Sequence, residues 1–176
     1  KSATNLSSTV ESVFFDKEDN FYEDNDERAI FFCKGVLETV KKLGWSPDII
    51  HCNDWMTSLI PLYVKTTYKN DPIFKESKTV FTMYNNKFTH KFGGDLLDKV
   101  KMIDIDDNML HPLKTADYDG FIKMGVQYAD AVINGNEEST DSFKKLIADI
   151  DKQINTIDRD ENFEESHFNL YNELVG

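Results

Sequence analysis

Apolar residues along the chain fall into short bursts of two periods, and the two alternate. From Asp24 onward, Ala29, Cys33, Val36, Leu37 and Val40 recur at the spacing of one helix face. The acidic start Asp24-Asn25-Asp26-Glu27 supplies a carboxylate cap from Asp24 with Glu27 three residues later, and Lys41, Lys42 and Gly44 close the helix at its other pole. Trp45-Ser46-Pro47 turns the chain into Asp48-Ile49-Ile50-His51, an apolar run of strand length stopped by polar residues. Asp54 can then cap a helix from about Trp55 to Tyr68, with Pro61 expected to kink it. Lys78 to Tyr84 reads as the next strand, Tyr118 to Tyr128 as a helix, and Ala131-Val132-Ile133 as a third strand.

The remaining stretches are less regular. Residues 1–23 read as a flexible arm, with Val13-Phe14-Phe15 a weak strand candidate. Asn86 to Lys114 carries a short helical stretch near Asp95 to Val100 and is expected as an insertion over the strand ends. A polar helix from about Ser139 to Ile150 closes a domain spanning 24–150. Residues 151–176 form a charged link through Asp158-Arg159-Asp160 and an amphipathic helix with Phe163, His167, Leu170, Tyr171 and Leu174 that packs back on the domain.

Strands alternating with helices predict an α/β fold, a Rossmann-like three-layer parallel sheet flanked by helices. In such sheets ligands bind in the crevice outside the carboxyl ends of the strands. The three strands end in His51-Cys52-Asn53-Asp54, Asn85-Asn86 and Asn134-Gly135-Asn136, so the polar residues collect on one edge. His51 and Asp54 are the residues there with chemistry to offer. The plainer account is a strand-end pair that satisfies backbone groups and caps a helix. For Trp55, core packing competes with stacking on a sugar, and aromatic residues contribute mostly through buried area.

Composition narrows the partners. The 176 residues carry a formal net charge of −12, which repels phosphate backbones and anionic lipid, so nucleic acid and membrane are not expected partners. The two cysteines, Cys33 and Cys52, make neither a disulfide framework nor a metal-ligand spacing, which suits a reducing cytoplasm. Lys1 to Val10 has no signal-peptide core, and without an initiating Met the chain reads as a fragment or processed product. Gly93-Gly94 lacks the pattern of a phosphate loop, and Asp104, Asp106 and Asp107 lack calcium-loop spacing.

Five ordered blocks then resemble one family: Asp24-Asn25 with Arg28; Trp45-x-Pro47-Asp48-Ile49-Ile50-His51-x-x-Asp54-Trp55; Pro61-x-Tyr63; Phe81-Thr82-x-x-Asn85; and Lys123-x-Gly125 with Tyr128-Ala129-Asp130. They are similar to the amino-terminal catalytic domain of bacterial glycogen and plant starch synthases, especially its short single-domain forms. The resemblance implies a retaining glucosyltransferase moving glucose from ADP-glucose to an α-1,4-glucan between two Rossmann-like domains, of which this chain would be an incomplete half. It implies catalytic roles for Asp24, His51 and Asp54, substrate contacts for Asn53, Trp55 and Asn85, and no metal or cofactor.

The departures matter equally. Asn53 stands where the family usually has a second histidine, and Tyr84 stands where a histidine commonly precedes Asn85. The family's Lys-x-Gly-Gly loop and its carboxyl-terminal domain have no counterpart in these residues. A homo-oligomer or a partner chain could supply the second domain. The competing reading is a non-catalytic glucan- or nucleotide-binding or assembly module derived from the same fold.

Overall fold

In a computed structural model, residues 13–136, 138, 140–157, 160 and 162–176 are described. The 1–12 part of the expected arm, together with Ser139, Asp158 and Arg159, lies outside them. Helix α1 spans Asn25–Leu43, strand β1 Ile49–Asn53, helix α2 Leu59–Lys65, β2 Lys78–Met83 and α3 Leu96–Val100. Helix α4 follows at Tyr118–Tyr128, β3 at Ala131–Asn134, α5 at Asp141–Ala148, β4 at Ile154–Thr156 and α6 at Phe163–Val175.

The sheet runs β1-β2-β3-β4 with every neighbouring pair parallel, so the polar strand ends do share one edge. The expected parallel α/β sheet is present, with a fourth strand the apolar pattern did not predict. Strand β4 is three residues long and half exposed, too short and too polar for a period to register.

Period-two alternation sorts each strand between two unequal cores. On one face α1, α2, α4 and α5 bury Cys33, Leu37, Leu62, Phe81, Phe121 and Phe143 in the main cluster. Helix α4 crosses β2 at Gly125, where a Cβ would lie 2.6 Å from the Phe81 ring, so only glycine permits this approach. On the other face Val80, Ala131 and Ile133 form a small cluster against which α6 lays Leu170, Tyr171 and Leu174. The result is three layers.

Four local expectations need correction. Asp24 makes no side-chain cap to α1 and instead pairs with Arg28 at 2.9 Å. The helix expected over 55–68 is broken at Ser58 into a 3-10 turn, Trp55–Thr57, and α2. Pro61 is the third residue of α2, where the backbone N–H has no intrahelical partner, so it does not kink the helix. The stretch 86–114 is not simply laid over the strand ends: Phe88, Phe92, Leu96, Val100, Leu110 and Leu113 thread into the main core.

Residues 13–23, the described part of the expected arm, are held in place. Phe15 and Phe21 pair in an antiparallel bridge, and Asn25 Nδ2 donates to the Phe14 carbonyl at 2.9 Å. Phe14 and Phe21 set their rings 5.1 and 6.0 Å from Trp55.

Candidate functional site

Strand β1 delivers the residues around which the site is built, and alternation sends them different ways. His51 faces α6, Cys52 faces the main core, and Asn53 stands exposed at the strand end. Asp54 follows with φ 61° and ψ −179°, a backbone conformation that ordinarily belongs to glycine. A non-glycine residue persists there only when its surroundings over-determine it, and those surroundings are visible. Its backbone N–H donates to the Thr82 carbonyl at 2.9 Å, its Oδ1 accepts from the Trp55 N–H at 2.9 Å, and its Oδ2 accepts from Asn86 Nδ2 at 2.7 Å.

The Tyr118 hydroxyl lies 3.4 Å from Asp54 Oδ1 and hydrogen-bonds the Tyr84 carbonyl. Burial pushes the Asp54 carboxyl above the usual aspartate range, while Asn86, the Trp55 N–H and Tyr118 oppose the rise. Helix α4 supplies Tyr118 from its first turn, where Asp117 caps the helix by accepting the Gly120 N–H at 3.0 Å.

Amides extend the edge. Tyr84 Oη donates to Asn53 Oδ1 at 3.4 Å, joining the two positions that depart from the family pattern. Asn85 donates its backbone N–H to Asn136 Oδ1 at 2.8 Å and accepts from Thr140 Oγ1 at 3.2 Å through its own Oδ1. Among the described residues that these bonds join, the ends of β1, β2 and β3 are thus tied into one rim of uncharged donors and acceptors around the Asp54 carboxylate. Such a rim suits sugar hydroxyls better than a phosphate.

His51 does not point into this rim. Its Nδ1 lies 2.6 Å from Tyr171 Oη and its Nε2 2.7 Å from Thr82 Oγ1, so both ring nitrogens are engaged beneath α6. Burial first, and the nearby His167 second, lower its pKa to about 4. A ring held neutral with both nitrogens bonded is not a proton carrier at neutral pH.

A stability test follows from this burial. The unfolded chain protonates His51 near 6.5 and the fold resists until about 4, so His51 should erode stability as pH falls through that window. Asp54, with its raised pKa, acts in the opposite sense. Urea midpoints at pH 7 and pH 4.5 should therefore separate less in His51→Asn than in the parent; an equal separation would exclude His51 as the source.

The other sequence candidates are dispersed. Asp24 is exposed at the head of α1 beside Arg28. Trp55 is 3 % exposed within a cluster of phenylalanines, where the ring packs as core and cannot stack on a sugar. Cys52 is buried, which raises its thiol pKa and leaves it inert. Among the described residues no group of three or more His, Cys, Asp or Glu could hold a metal ion. Nor is any helix there long and apolar enough to cross a membrane.

Sequence reasoning put Asn86 and Asn136 on this edge without giving them a role, and it missed Tyr118 and Thr140. Asn86 and Asn136 had a signal, since each stands just beyond a strand in a polar pair. Tyr118 had none, because its reach depends on where α4 docks.

Comparison with known proteins identifies the family. A family model described as the starch synthase catalytic domain matches residues 3–140. A glycogen synthase of Desulforudis audaxviator is 42% identical over 113 residues, 63% of this chain and 22% of that protein. Another from Clostridium perfringens is 35% identical over 130 residues, 73% of this chain and 27% of that protein. The chain thus spans about a quarter of the length of these curated relatives.

Among solved structures, the catalytic domain of starch synthase IV from Arabidopsis thaliana, bound to ADP and acarbose, superposes with a TM-score of 0.52. It is 20% identical and covers 65% of this chain and 24% of that one, a likeness of fold. With the parallel sheet, the shared blocks and a matched segment that takes in α1 through β3, the chain belongs to the starch synthase catalytic domain family.

Proposed function

We propose that this chain forms the amino-terminal part of a glucosyltransferase that moves glucose from ADP-glucose to an α-1,4-glucan, and that it works in the cytoplasm. The observation that carries the reading is Asp54, held in a glycine-like conformation at the strand ends of a chain that matches the family over residues 3–140. Strain of this kind collects at functional sites. In this reading Asp54 accepts a sugar hydroxyl, Asn53 and Asn85 orient the glucan, and Asp24 lines the outer part of the cleft. His51 is a positioning residue that fixes Thr82 and the edge of β2. Two free, buried cysteines suit a reducing compartment.

Transfer needs donors that neutralise the leaving diphosphate, and the rim offers amides and a carboxylate instead. A second domain, from a partner chain or another copy, would supply them. A non-catalytic glucan-binding module is the competing reading, favoured by the engaged nitrogens of His51.

Calorimetric titration with ADP-glucose, ADP and maltooligosaccharide, run beside a glucose-transfer assay, separates the two. Oligosaccharide binding with transfer supports the transferase. Binding that never leads to transfer, even with a complementing carboxyl-terminal domain, supports the module, and no binding at all overturns both.

A further inference from the structure

Helix α1 buries Ala29, Ile30, Cys33 and Leu37 against the body of the protein and leaves its opposite side uncovered. That side is apolar. Phe31 is 80 % exposed and Phe32 45 %, and with Gly35, Val36, Thr39 and Val40 they shape a shallow hollow of about 420 Å3. Along the chain the run continues through the exposed Leu43 and Trp45. Apolar residues scattered singly on a surface need no explanation, whereas a run of them along one helix marks a contact surface. Gly35 is its low point. A Cβ there would meet nothing within 4 Å, so no contact inside the protein requires a residue that weakens the helix.

Charge and spacing select a second copy of the chain as the occupant. At −12 overall, two copies repel wherever acidic surfaces meet. Residues 24–43 are an exception, with four acidic and four basic side chains. Two α1 helices laid antiparallel about a two-fold axis level with Cys33 bring Phe31 of each copy to the height of Gly35 in the other, Arg28 to that of Glu38 and Asp24 to that of Lys42. Five of these six residues are exposed, and Gly35 is half-buried between them. One register therefore sets an aromatic ring on a glycine notch and matches opposite charges at both ends. A parallel pairing would instead set Phe31 on Phe31 and Lys42 on Lys42.

We infer that the outer face of α1 is the interface of an antiparallel homodimer, held by Phe31 of each copy in the notch at Gly35 of the other. One helix of 19 residues, about 28 Å long, makes an interface at the small end of the range, so the dimer is reversible and micromolar. Cys33 Sγ donates to the Met56 carbonyl, just past the end of β1, while Lys41 pairs with Asp71, ahead of β2. Helix α1 therefore runs opposite to the strands, and an antiparallel pair turns the two strand-end rims in opposite directions. The dimer does not depend on the transferase reading, nor that reading on the dimer.

Sedimentation velocity from about 1 to 500 µM reads the association on the parent chain, Phe31→Ser and Gly35→Leu. The parent should pass from monomer to dimer across that range. Phe31→Ser removes two buried rings from each dimer and should associate about 100-fold more weakly. Gly35→Leu fills both notches and should weaken association by about the same factor, yet its thermal melt in dilute solution should rise by a few degrees, because leucine is the better helix former and its Cβ meets no neighbour. That rise separates a blocked interface from a damaged fold. Two charge variants test the register. Asp24→Lys and Lys42→Glu should each associate about tenfold more weakly, and an equimolar mixture should regain the parent's affinity, since the mixed dimer pairs lysine with glutamate at one end and keeps the native pair at the other. A chain that stays monomeric throughout overturns the proposal and leaves the face to another protein or to further chain. Association unchanged in Phe31→Ser and Gly35→Leu overturns it by placing the contact elsewhere, and a mixture that fails to recover overturns the antiparallel register on which it stands.

Discussion

Trp55→Ala should cost about 3–5 kcal/mol of folding stability, a large loss for a domain of this size. Trp55 is 3 % exposed, and Phe14, Phe88 and Phe121 set their rings 5.1, 5.0 and 5.8 Å from it. Truncation would remove the transfer energy of the indole and leave a cavity that rings on several elements cannot collapse to fill. It would also loosen the 13–23 segment, which reaches the body of the protein through Phe14 and Phe21. Urea denaturation followed by far-ultraviolet dichroism reads the effect. Glucan affinity measured on the folded fraction should change little at the strand-end rim. Unchanged stability with lost binding would place Trp55 against the sugar and contradict its burial.

Asp54→Gly and Asp54→Ala form the second large contrast. Both remove the carboxylate that accepts from Trp55 and Asn86, so both should lose glucan binding at the rim together. They differ in backbone. Alanine keeps the strain of φ 61°, ψ −179°, which costs about 1–3 kcal/mol, while glycine relieves it. Glycine gives back about 0.4–1 kcal/mol through the freer unfolded chain. Asp54→Gly should therefore be the more stable variant, melting above Asp54→Ala by a few degrees, on the scale of about 2–4 °C per kcal/mol for a chain of this length. Equal melting of the two would show that the loop relaxes around alanine and that no strain is held there.

The main elements were legible because their signals are local. Helix α1 announces its face through Ala29, Cys33 and Leu37 and its stop through Gly44, which takes φ 67° at the cap. Strands β1, β2 and β3 were visible as apolar runs ending in polar residues, and that ending placed Asn53, Asp54 and Asn85 on one rim. What escaped depends on docking. The side to which His51 points follows from alternation with Cys52, but that its ring would be engaged by Tyr171 depends on a helix 120 residues later. Strand β4 forms by pairing with β3, a neighbour its own residues do not reveal. The partnership of Asn86 and Tyr118 with Asp54 needs α4 set against the end of β2. The shared blocks indicated the family, and local pattern alone would have stopped at the fold.

Helix α6 has no fully buried residue, and among the described residues the cluster beneath it has three buried members, Val80, Ala131 and Ile133, with Ile49 and Ile157 partly buried beside them. Elements that seal so little apolar surface open at lower free energy than the sheet they cover. Amide hydrogens of α6 should therefore exchange with deuterium well before those of β2, and a thermal scan should show two unfolding steps instead of one. Trp45 is already exposed in the folded protein, so a melting temperature read from tryptophan fluorescence reports chiefly the opposite face, around the buried Trp55, and says nothing of when the carboxyl-terminal helix has already left.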